Sequence, residues 1–353
     1  MRTALLSLFA AFALTGCPSP APSDSGADSG TSAQDDGPSG YIGGPCATLD
    51  DCPYPDAACL TDGQGFPRGT CSQACELYCP DEPGFPTTFC VTTDELPPGA
   101  AELGAGACLS RCDFGYFPET GCRDGYGCSL VPRANEPGTL KYACVPGATS
   151  EVSLCQRRLA ARGVTFEPSF MPDAHPDGHP ELTCHIEDPV YLVAPIHGVD
   201  VRYADSSDSA RILASCDAAH AIVDTIDDLG AHDAVVVRHL GTYNCRVIAG
   251  TSSLSRHGYG DAFDIAGVQL ASGAVYTLTN DWEHDTTSPT TPGGKYLYES
   301  GLRWHNAGYW SLILTPNYNS AHDDHFHVDL TPGQDAIYGR RPPHYYGPAP
   351  YDD

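Results

Sequence analysis

The chain has 353 residues with 45 acidic and 18 basic side chains, so its formal net charge is −27 at pH 7. This acidic balance argues against a nucleic-acid-binding protein, which needs a basic patch. It also argues against docking on anionic lipid through a polybasic face. With 41% apolar residues the chain can bury a sizeable core, and its length allows two domains.

The N-terminus carries the features of an export signal. Arg2 precedes an apolar run from Ala4 to Leu14, which has the length of a signal-peptide core and is too short to span a bilayer. The run ends in Leu-Thr-Gly-Cys17, which resembles the lipobox of bacterial lipoproteins. The resemblance implies that residues 1–17 are the signal and lipobox, and that Cys17 is diacylated. An ordinary signal peptide with a chance cysteine is the alternative.

Seventeen cysteines are spread unevenly: twelve lie from Cys46 to Cys144 and four from Cys155 to Cys245. Such density favours an oxidising compartment. Setting Cys17 aside leaves sixteen, an even number that could all pair. Together with the lipobox, this predicts a protein of the bacterial cell envelope, anchored to a membrane by lipid and either periplasmic or surface-exposed.

Two segments precede the last domain. Residues 18–42 are Pro, Ser, Asp, Gly and Ala with few large apolar side chains, which predicts a disordered linker. Residues 43–148 hold the twelve clustered cysteines among Gly and Pro turns, which predicts a small module held by disulfides. Metal-cluster binding is the alternative, but the segment contains no CxxC pair of the kind zinc ribbons favour.

From Ser150 onward the sequence contains longer segments with regular apolar spacing, and predicted helices occur among predicted strands. Capping residues and apolar spacing predict helices over 150–162, 215–229 and 295–306. Apolar runs predict strands over 189–194, 199–203, 234–240, 263–266, 274–278, 312–314 and 325–330. The pattern is that of an α+β fold. Residues 336–353 form a Pro- and Tyr-rich tail.

Two motifs bring histidines and carboxylates together. His257 and Asp264 are seven residues apart, with glycines between them that allow a sharp turn. Near the C-terminus His325 and His327 stand at i and i+2, so on a strand they project from the same face. A strand of this kind can supply a metal ligand and a neighbouring acid or base.

The set His257, Asp264 and His327 is typical of a zinc site with an open fourth position. Zinc there would lower the pKa of a water molecule and polarise a carbonyl, with His325 as general base or oxyanion contact. Non-haem iron also takes two histidines and a carboxylate, but its usual local signature, His-x-Asp, does not match the spacing of His257 and Asp264.

These motifs resemble the extensin-like C-terminal domain family of bacteria. The matching stretches are Gly241-Thr-Tyr-Asn-Cys-Arg246, the run from Leu254 to Gly267, the run from Pro316 to Leu330, and Cys155-x3-Leu-x3-Gly-Val-Thr-Phe. The resemblance covers about 150–335. That family is similar to zinc peptidases of the lysostaphin, D-Ala-D-Ala peptidase and hedgehog type, which share a His-x6-Asp motif followed by a His-x-His strand.

The resemblance implies a zinc-peptidase-like antiparallel sheet with flanking helices over 150–335. It implies zinc at His257, Asp264 and His327, with His325 as the catalytic histidine. Arg246 is the candidate for the substrate-binding arginine of the related peptidases, and a surface arginine is the alternative. His322 is a candidate substrate contact, with a loop-capping role as the alternative.

Two departures from the family pattern matter. The chain reads Gly-Tyr-Trp at 308–310, where family members usually carry a cysteine, so the partner of Cys245 is open. Asp261 stands where Asn is more usual and adds a carboxylate beside the proposed metal.

Together these features predict a zinc metallopeptidase or amidohydrolase that acts on the peptide stems or cross-links of peptidoglycan. The alternative is a non-catalytic, metal-stabilised lipoprotein that binds the cell wall. A protease inhibitor or adhesin built on the cysteine-rich half would leave the C-terminal motifs unexplained.

Overall fold

The computed structural model describes residues 37–339, which belong to one compact unit. The signal and lipobox over 1–17 with Cys17, the linker as far as residue 36, and the tail from residue 340 lie outside the described residues. Within 37–339, no helix has the length and apolar character needed to cross a membrane.

The cysteine-rich part forms one six-stranded antiparallel sheet in the order β1-β2-β4-β3-β5-β6. Its strands are β1 (Ala57–Leu60), β2 (Thr70–Cys75), β3 (Thr88–Thr92), β4 (Gly106–Ser110), β5 (Tyr126–Arg133) and β6 (Glu136–Pro146). Short 3₁₀ helices precede β1 and connect β1 to β2 and β3 to β4.

All twelve cysteines of this part are in disulfides, as predicted. The pairs are Cys46–Cys59, Cys52–Cys71, Cys75–Cys90, Cys79–Cys108, Cys112–Cys128 and Cys122–Cys144. Bonded cysteines cannot serve as thiolate ligands, so the metal-cluster alternative is wrong for this segment.

The end of the predicted linker is part of the folded module. Tyr41 and Ile42 are buried against the bonded cysteines Cys75, Cys90 and Cys108. Residue 42 is therefore too late a boundary for the linker, because the first large apolar side chains after the polar run join the core.

As far as residue 339, the C-terminal part contains ten strands and four α-helices. Its strands are β7 (Phe166–Pro168), β8 (Val190–Val193), β9 (Asp200–Tyr203), β10 (Arg211–Ala214), β11 (Ala234–Gly241), β12 (Ala262–Leu270), β13 (Val275–Thr277), β14 (Leu312–Leu314), β15 (Phe326–Asp329) and β16 (Ala336–Tyr338). Its helices are α1 (Leu154–Ala161), α2 (Cys216–Ala231), α3 (Leu278–Asp281) and α4 (Pro292–Ala307).

These strands make two sheets. Strands β10, β8 and β7 form a small antiparallel sheet, and a larger one has the order β16-β14-β15-β12-β11-β9, with β13 also paired to β12. The centre of the larger sheet is antiparallel, as expected, but β9 and β16 join its two edges in parallel. The predicted α+β class is confirmed. Strand β16 uses residues predicted as tail, because they pair with β14.

Local signals explain where the helices lie. Ser215 caps α2 by accepting a hydrogen bond from the Ala218 amide, and Ile222 and Ile226 are buried on one face. Thr291 caps α4 in the same way, and Gly308 ends that helix with φ of 70°.

Helix α1 begins later than the predicted 150–162. Ser153 is its cap, and it accepts a hydrogen bond from the amide of Gln156. The amide of Glu151 instead bonds the carbonyl of Cys128, so this stretch follows β5 before the helix begins.

The cysteine-rich part packs directly against the C-terminal part. The rings of Phe114 and Phe166 are stacked with centroids 4.7 Å apart, and both belong to one continuous apolar core. Beside them Glu167 pairs with Arg111 of the cysteine-rich part and with Arg211 of β10. The junction therefore combines apolar burial with a half-buried ion pair.

Candidate metal centre

Three side chains from two neighbouring strands and one turn converge at the middle of the larger sheet. Asp264 on β12 lies directly opposite His327 on β15 in the antiparallel register. His257 comes from the 3₁₀ helix Arg256–Tyr259 that precedes β12. Gly260 ends this helix with φ of 65°, and a Cβ there would lie 3.0 Å from the Ser215 amide nitrogen, so the tight return to β12 requires glycine.

The donor atoms of these residues have the spacing of a metal-ligand set. His257 Nε2 lies 3.1 Å from Asp264 Oδ2 and 3.2 Å from His327 Nδ1, and His327 Nδ1 lies 3.0 Å from Asp264 Oδ1. Ligand atoms at tetrahedral zinc distances lie about 3.3 Å apart. The donors therefore need to move by only a few tenths of an ångström to hold the ion.

The outer nitrogen of each histidine has a fixed acceptor. His257 Nδ1 donates to the carbonyl oxygen of Thr242 at 2.7 Å, and His327 Nε2 donates to Asp329 Oδ2 at 2.9 Å. In the neutral rings these bonds place the protons on the outer nitrogens and leave the lone pairs of the inner nitrogens directed at the centre. Two lone pairs and a carboxylate facing one point match the chemistry of a divalent metal site.

The electrostatics of the centre favour a bound positive charge. Burial opposes ionisation of Asp264, but hydrogen bonds with His257 and His327 outweigh it and hold the pKa of that carboxyl well below its usual range. Burial likewise opposes protonation of His327, but its bonds to Asp264 and Asp329 raise the pKa of the ring to about 9. A metal ion would take over the position of this proton.

His325 stands beside the three candidate ligands rather than among them. Its Nδ1 donates to Asp324 Oδ1 at 2.7 Å, and its Nε2 lies 3.6 Å from Asp264 Oδ1. Because Asp324 fixes the tautomer, the Nε2 atom is the one free to take a proton. His325 lies just before β15 rather than inside it, as the predicted strand had it, and both His325 and His327 line the same cleft.

His322 lies over the same cleft. Its Nδ1 is 2.7 Å from Asn319 Oδ1, and its ring centroid is 5.2 Å from that of His325. Burial and the neighbouring His327 and His325 lower the pKa of His322 to about 3, so it is neutral at pH 7. It can therefore offer a neutral hydrogen-bonding group to a ligand.

The cleft has a volume of about 160 Å³ and is bordered by both polar and apolar side chains. Its lining includes Arg246, Ile248, Ser255, Arg256, Asp264, Leu314, Tyr318, His322, His325 and His327. Arg246 is exposed, and its guanidinium has one long hydrogen bond, 3.4 Å to the carbonyl of Val247.

One wall of the cleft is a loop that a disulfide holds beside His257. Cys245 pairs with Cys184, and the Sγ of Cys184 would lie 3.1 Å from a Cβ at Gly258. The amide of Asn244 also bonds the carbonyl of His257. Together with the pair Cys155–Cys216, this settles the connectivity left open by the missing cysteine at 308–310.

A comparison with protein families shows which family this chain belongs to. Residues 153–338 match the family described as extensin-like protein C-terminus, over more than half of the chain. The chain belongs to the extensin-like protein C-terminus family. Neither the curated proteins nor the solved structures contain a match.

Within this extensin-like domain, Asp261 does not join the candidate ligand set. Its carboxylate accepts a hydrogen bond from Ser215 Oγ at 2.6 Å and pairs with Arg256. Burial raises its pKa. The carboxylate that departs from the usual family residue is therefore paired with an arginine, and the candidate ligand group consists of His257, Asp264 and His327.

Sequence reasoning missed the groups that orient the histidines. Asp329 is fully buried and follows His327 by two residues on β15, so strand periodicity already placed both side chains on one face. Asp324 adjoins His325 and is also visible in the motif. The carbonyl of Thr242 leaves no such trace, because any residue at that position supplies the same backbone oxygen.

Proposed function

We propose that this protein is a lipid-anchored zinc hydrolase of the cell envelope that cleaves amide bonds in the peptide stems or cross-links of peptidoglycan. The observation that carries the proposal is the convergence of His257, Asp264 and His327 with their outer nitrogens already satisfied. Two histidines oriented by outer hydrogen bonds beside a carboxylate are the arrangement typical of a metal site.

Zinc bound by these three residues would lower the pKa of a water molecule and polarise the carbonyl of the scissile bond. The chain's own groups would move the proton. Nε2 of His325 accepts it, while Asp324 holds the opposite ring nitrogen and stabilises the imidazolium. The same Nε2 then returns the proton to the departing amine.

Two further groups face the substrate. Arg246, whose guanidinium has no carboxylate partner among the described residues, is suited to hold a carbonyl oxygen or a carboxylate of the peptide. His322, neutral and anchored by Asn319, is suited to a hydrogen bond with the peptide backbone.

The choice of peptidoglycan and of the envelope rests on the sequence. The lipobox ending at Cys17 and the resemblance to cell-wall zinc peptidases support it, and eight disulfides agree with an oxidising compartment. The alternative is a non-catalytic, metal-stabilised binding protein. A fourth protein ligand such as Asp261 would have favoured it, but that carboxylate is paired with Arg256.

The test uses the oxidised chain from residue 18 onward, loaded with zinc and incubated with isolated sacculi, with released peptides identified by mass spectrometry. We expect wild type to release new fragments, His325→Ala to bind zinc without releasing them, and His257→Ala to lose zinc. His185→Ala, at a half-exposed histidine that is not among the cleft-lining residues, is the matched control. Full activity of His325→Ala would contradict the base assignment, and bound zinc without fragments would favour the binding protein.

A further inference from the structure

A second arginine, Arg256, also lines the cleft, and nothing in the mechanism above uses it. It lies at the start of the 3₁₀ helix that carries His257. The loop from Arg246 to Ser255 closes on itself, because the Ser255 amide bonds the Arg246 carbonyl at 3.0 Å. Arg246 and Arg256 therefore flank the base of one narrow loop, and both line the cleft.

Arg256 is held in place on two sides. Its Nη2 pairs with Asp261, and its guanidinium carbon lies 4.5 Å from the centre of the Tyr259 ring. Asp261 is itself fixed by Ser215 Oγ. The guanidinium is thus rigid, with 17% of the side chain exposed.

Most of the hydrogen-bonding capacity of Arg256 is not used by the described residues. A guanidinium has five N–H donors, and Asp261 is the acceptor that the structure provides. A half-buried arginine with spare donors in the wall of a cleft calls for an acceptor from a ligand. The planar fork of arginine matches a carboxylate best.

The side of the cleft that contains Arg246, Arg256 and Asp261 has the charge needed to bind one negative group. Arg256 and Asp261 neutralise each other, whereas Arg246 has no carboxylate partner among residues 37–339. The wall therefore keeps one positive charge in a chain whose net charge is −27. In such a chain a local positive site is needed to admit an anion.

We propose that Arg256, positioned by Asp261, completes with Arg246 a subsite that binds a carboxylate of the substrate, so that the cleft selects peptides with a free carboxylate near the scissile bond. The inference rests on the proposed function for the nature of the substrate. The subsite itself is defined by residues outside the metal ligands.

Binding of N-acetyl dialanine and of its carboxamide, each as the D,D and the L,L form, tests the subsite without turnover. Calorimetric titration is done on the oxidised chain, once loaded with zinc and once metal-free, so that carboxylate binding to the metal is separated from binding to the arginines. Arg256→Gln and Arg256→Lys are compared with Arg157→Gln, which changes an exposed arginine on α1.

We expect the acid of at least one form to bind metal-free wild type about tenfold more tightly than its carboxamide, as a charge-assisted pair provides. Arg256→Gln should remove most of that preference. Arg256→Lys should also lose it, because an ammonium lacks the planar fork that lets a guanidinium bind a carboxylate through two parallel N–H groups. Arg157→Gln should keep it.

An unchanged preference in Arg256→Gln, no preference in wild type, or no binding of either peptide would overturn the subsite. Binding with the expected preference but without release of sacculus fragments would overturn the proposed hydrolysis and leave the subsite intact. Release of sacculus fragments without a preference for the acid over the carboxamide would overturn the subsite and leave the proposed hydrolysis intact.

Discussion

Asp329→Asn tests whether the buried carboxylate behind His327 prepares that ring for metal. Both oxygens of Asp329 are in use: Oδ1 accepts from the Thr331 amide at 2.8 Å and Oδ2 accepts from His327 Nε2 at 2.9 Å. The side chain is fully buried, so water cannot replace a lost partner. Asparagine supplies one oxygen and one NH₂ group where two acceptors are needed.

The substitution therefore forces a choice. If the oxygen of residue 329 stays with Thr331, its NH₂ faces His327 and favours the tautomer with the proton on Nδ1, which blocks the inner lone pair. If it turns to His327, the amide of Thr331 loses its acceptor. Loss of an outer partner of a ligating histidine typically weakens metal binding about 10- to 100-fold, or about 1.4–2.7 kcal/mol.

Competition with a chromophoric zinc chelator at pH 7.5 measures this change directly. Asp324→Asn is the matched control, since it makes the same chemical change at an exposed carboxylate bonded to His325, which is not a proposed ligand. Thermal unfolding of both metal-free variants checks that they fold. Zinc affinity of folded Asp329→Asn equal to that of wild type would refute the reasoning.

Two predictions concern stability. His239 is fully buried, neither of its ring nitrogens has a hydrogen-bond partner among residues 37–339, and burial lowers its pKa to about 4. Because the unfolded chain takes up a proton near pH 6.5 and the folded one does not, wild type should lose up to about 3 kcal/mol relative to His239→Phe as the pH falls from 6.5 to 4. Urea unfolding at both pH values measures this, and parallel changes in the two proteins would contradict it. Replacing Cys184 and Cys245 by serine, or Cys155 and Cys216, opens a loop of 61 residues in each case and should cost about 4 kcal/mol of unfolding free energy. Only the first pair should also weaken ligand binding in the cleft, so calorimetry that finds equal effects would count against its role as an anchor of the wall.

The proposed ligand set could be predicted from sequence because each part of it follows a local rule. Six intervening residues, two of them glycines, bring His257 back to Asp264, and strand periodicity puts His327 on the face that carries Asp329. The helices followed from caps such as Ser215 in the same way. These rules depend on residues that are close together in the sequence, so distant contacts do not change their outcome.

Features that depend on distant partners could not be predicted. The pairing of Cys184 with Cys245 is set by how two loops meet, and several connectivities were equally compatible with the spacing. The commitment of Asp261 to Arg256 decides whether that carboxylate reaches the metal, and spacing alone left both outcomes open. The strand Arg211–Ala214 is recognisable only through its pairing with β8.

The stacked pair Phe114 and Phe166 bears on how the chain can be divided. The matched family begins at residue 153, but a fragment that starts there would leave Phe166 uncovered and Glu167 without Arg111. Exposing one such ring lowers the free energy of unfolding by about 1.5–3 kcal/mol and creates an apolar surface that favours aggregation. The homology boundary is thus not a folding boundary: damage to a disulfide in the first half should appear as insolubility of the second, and the second half needs the first to remain soluble.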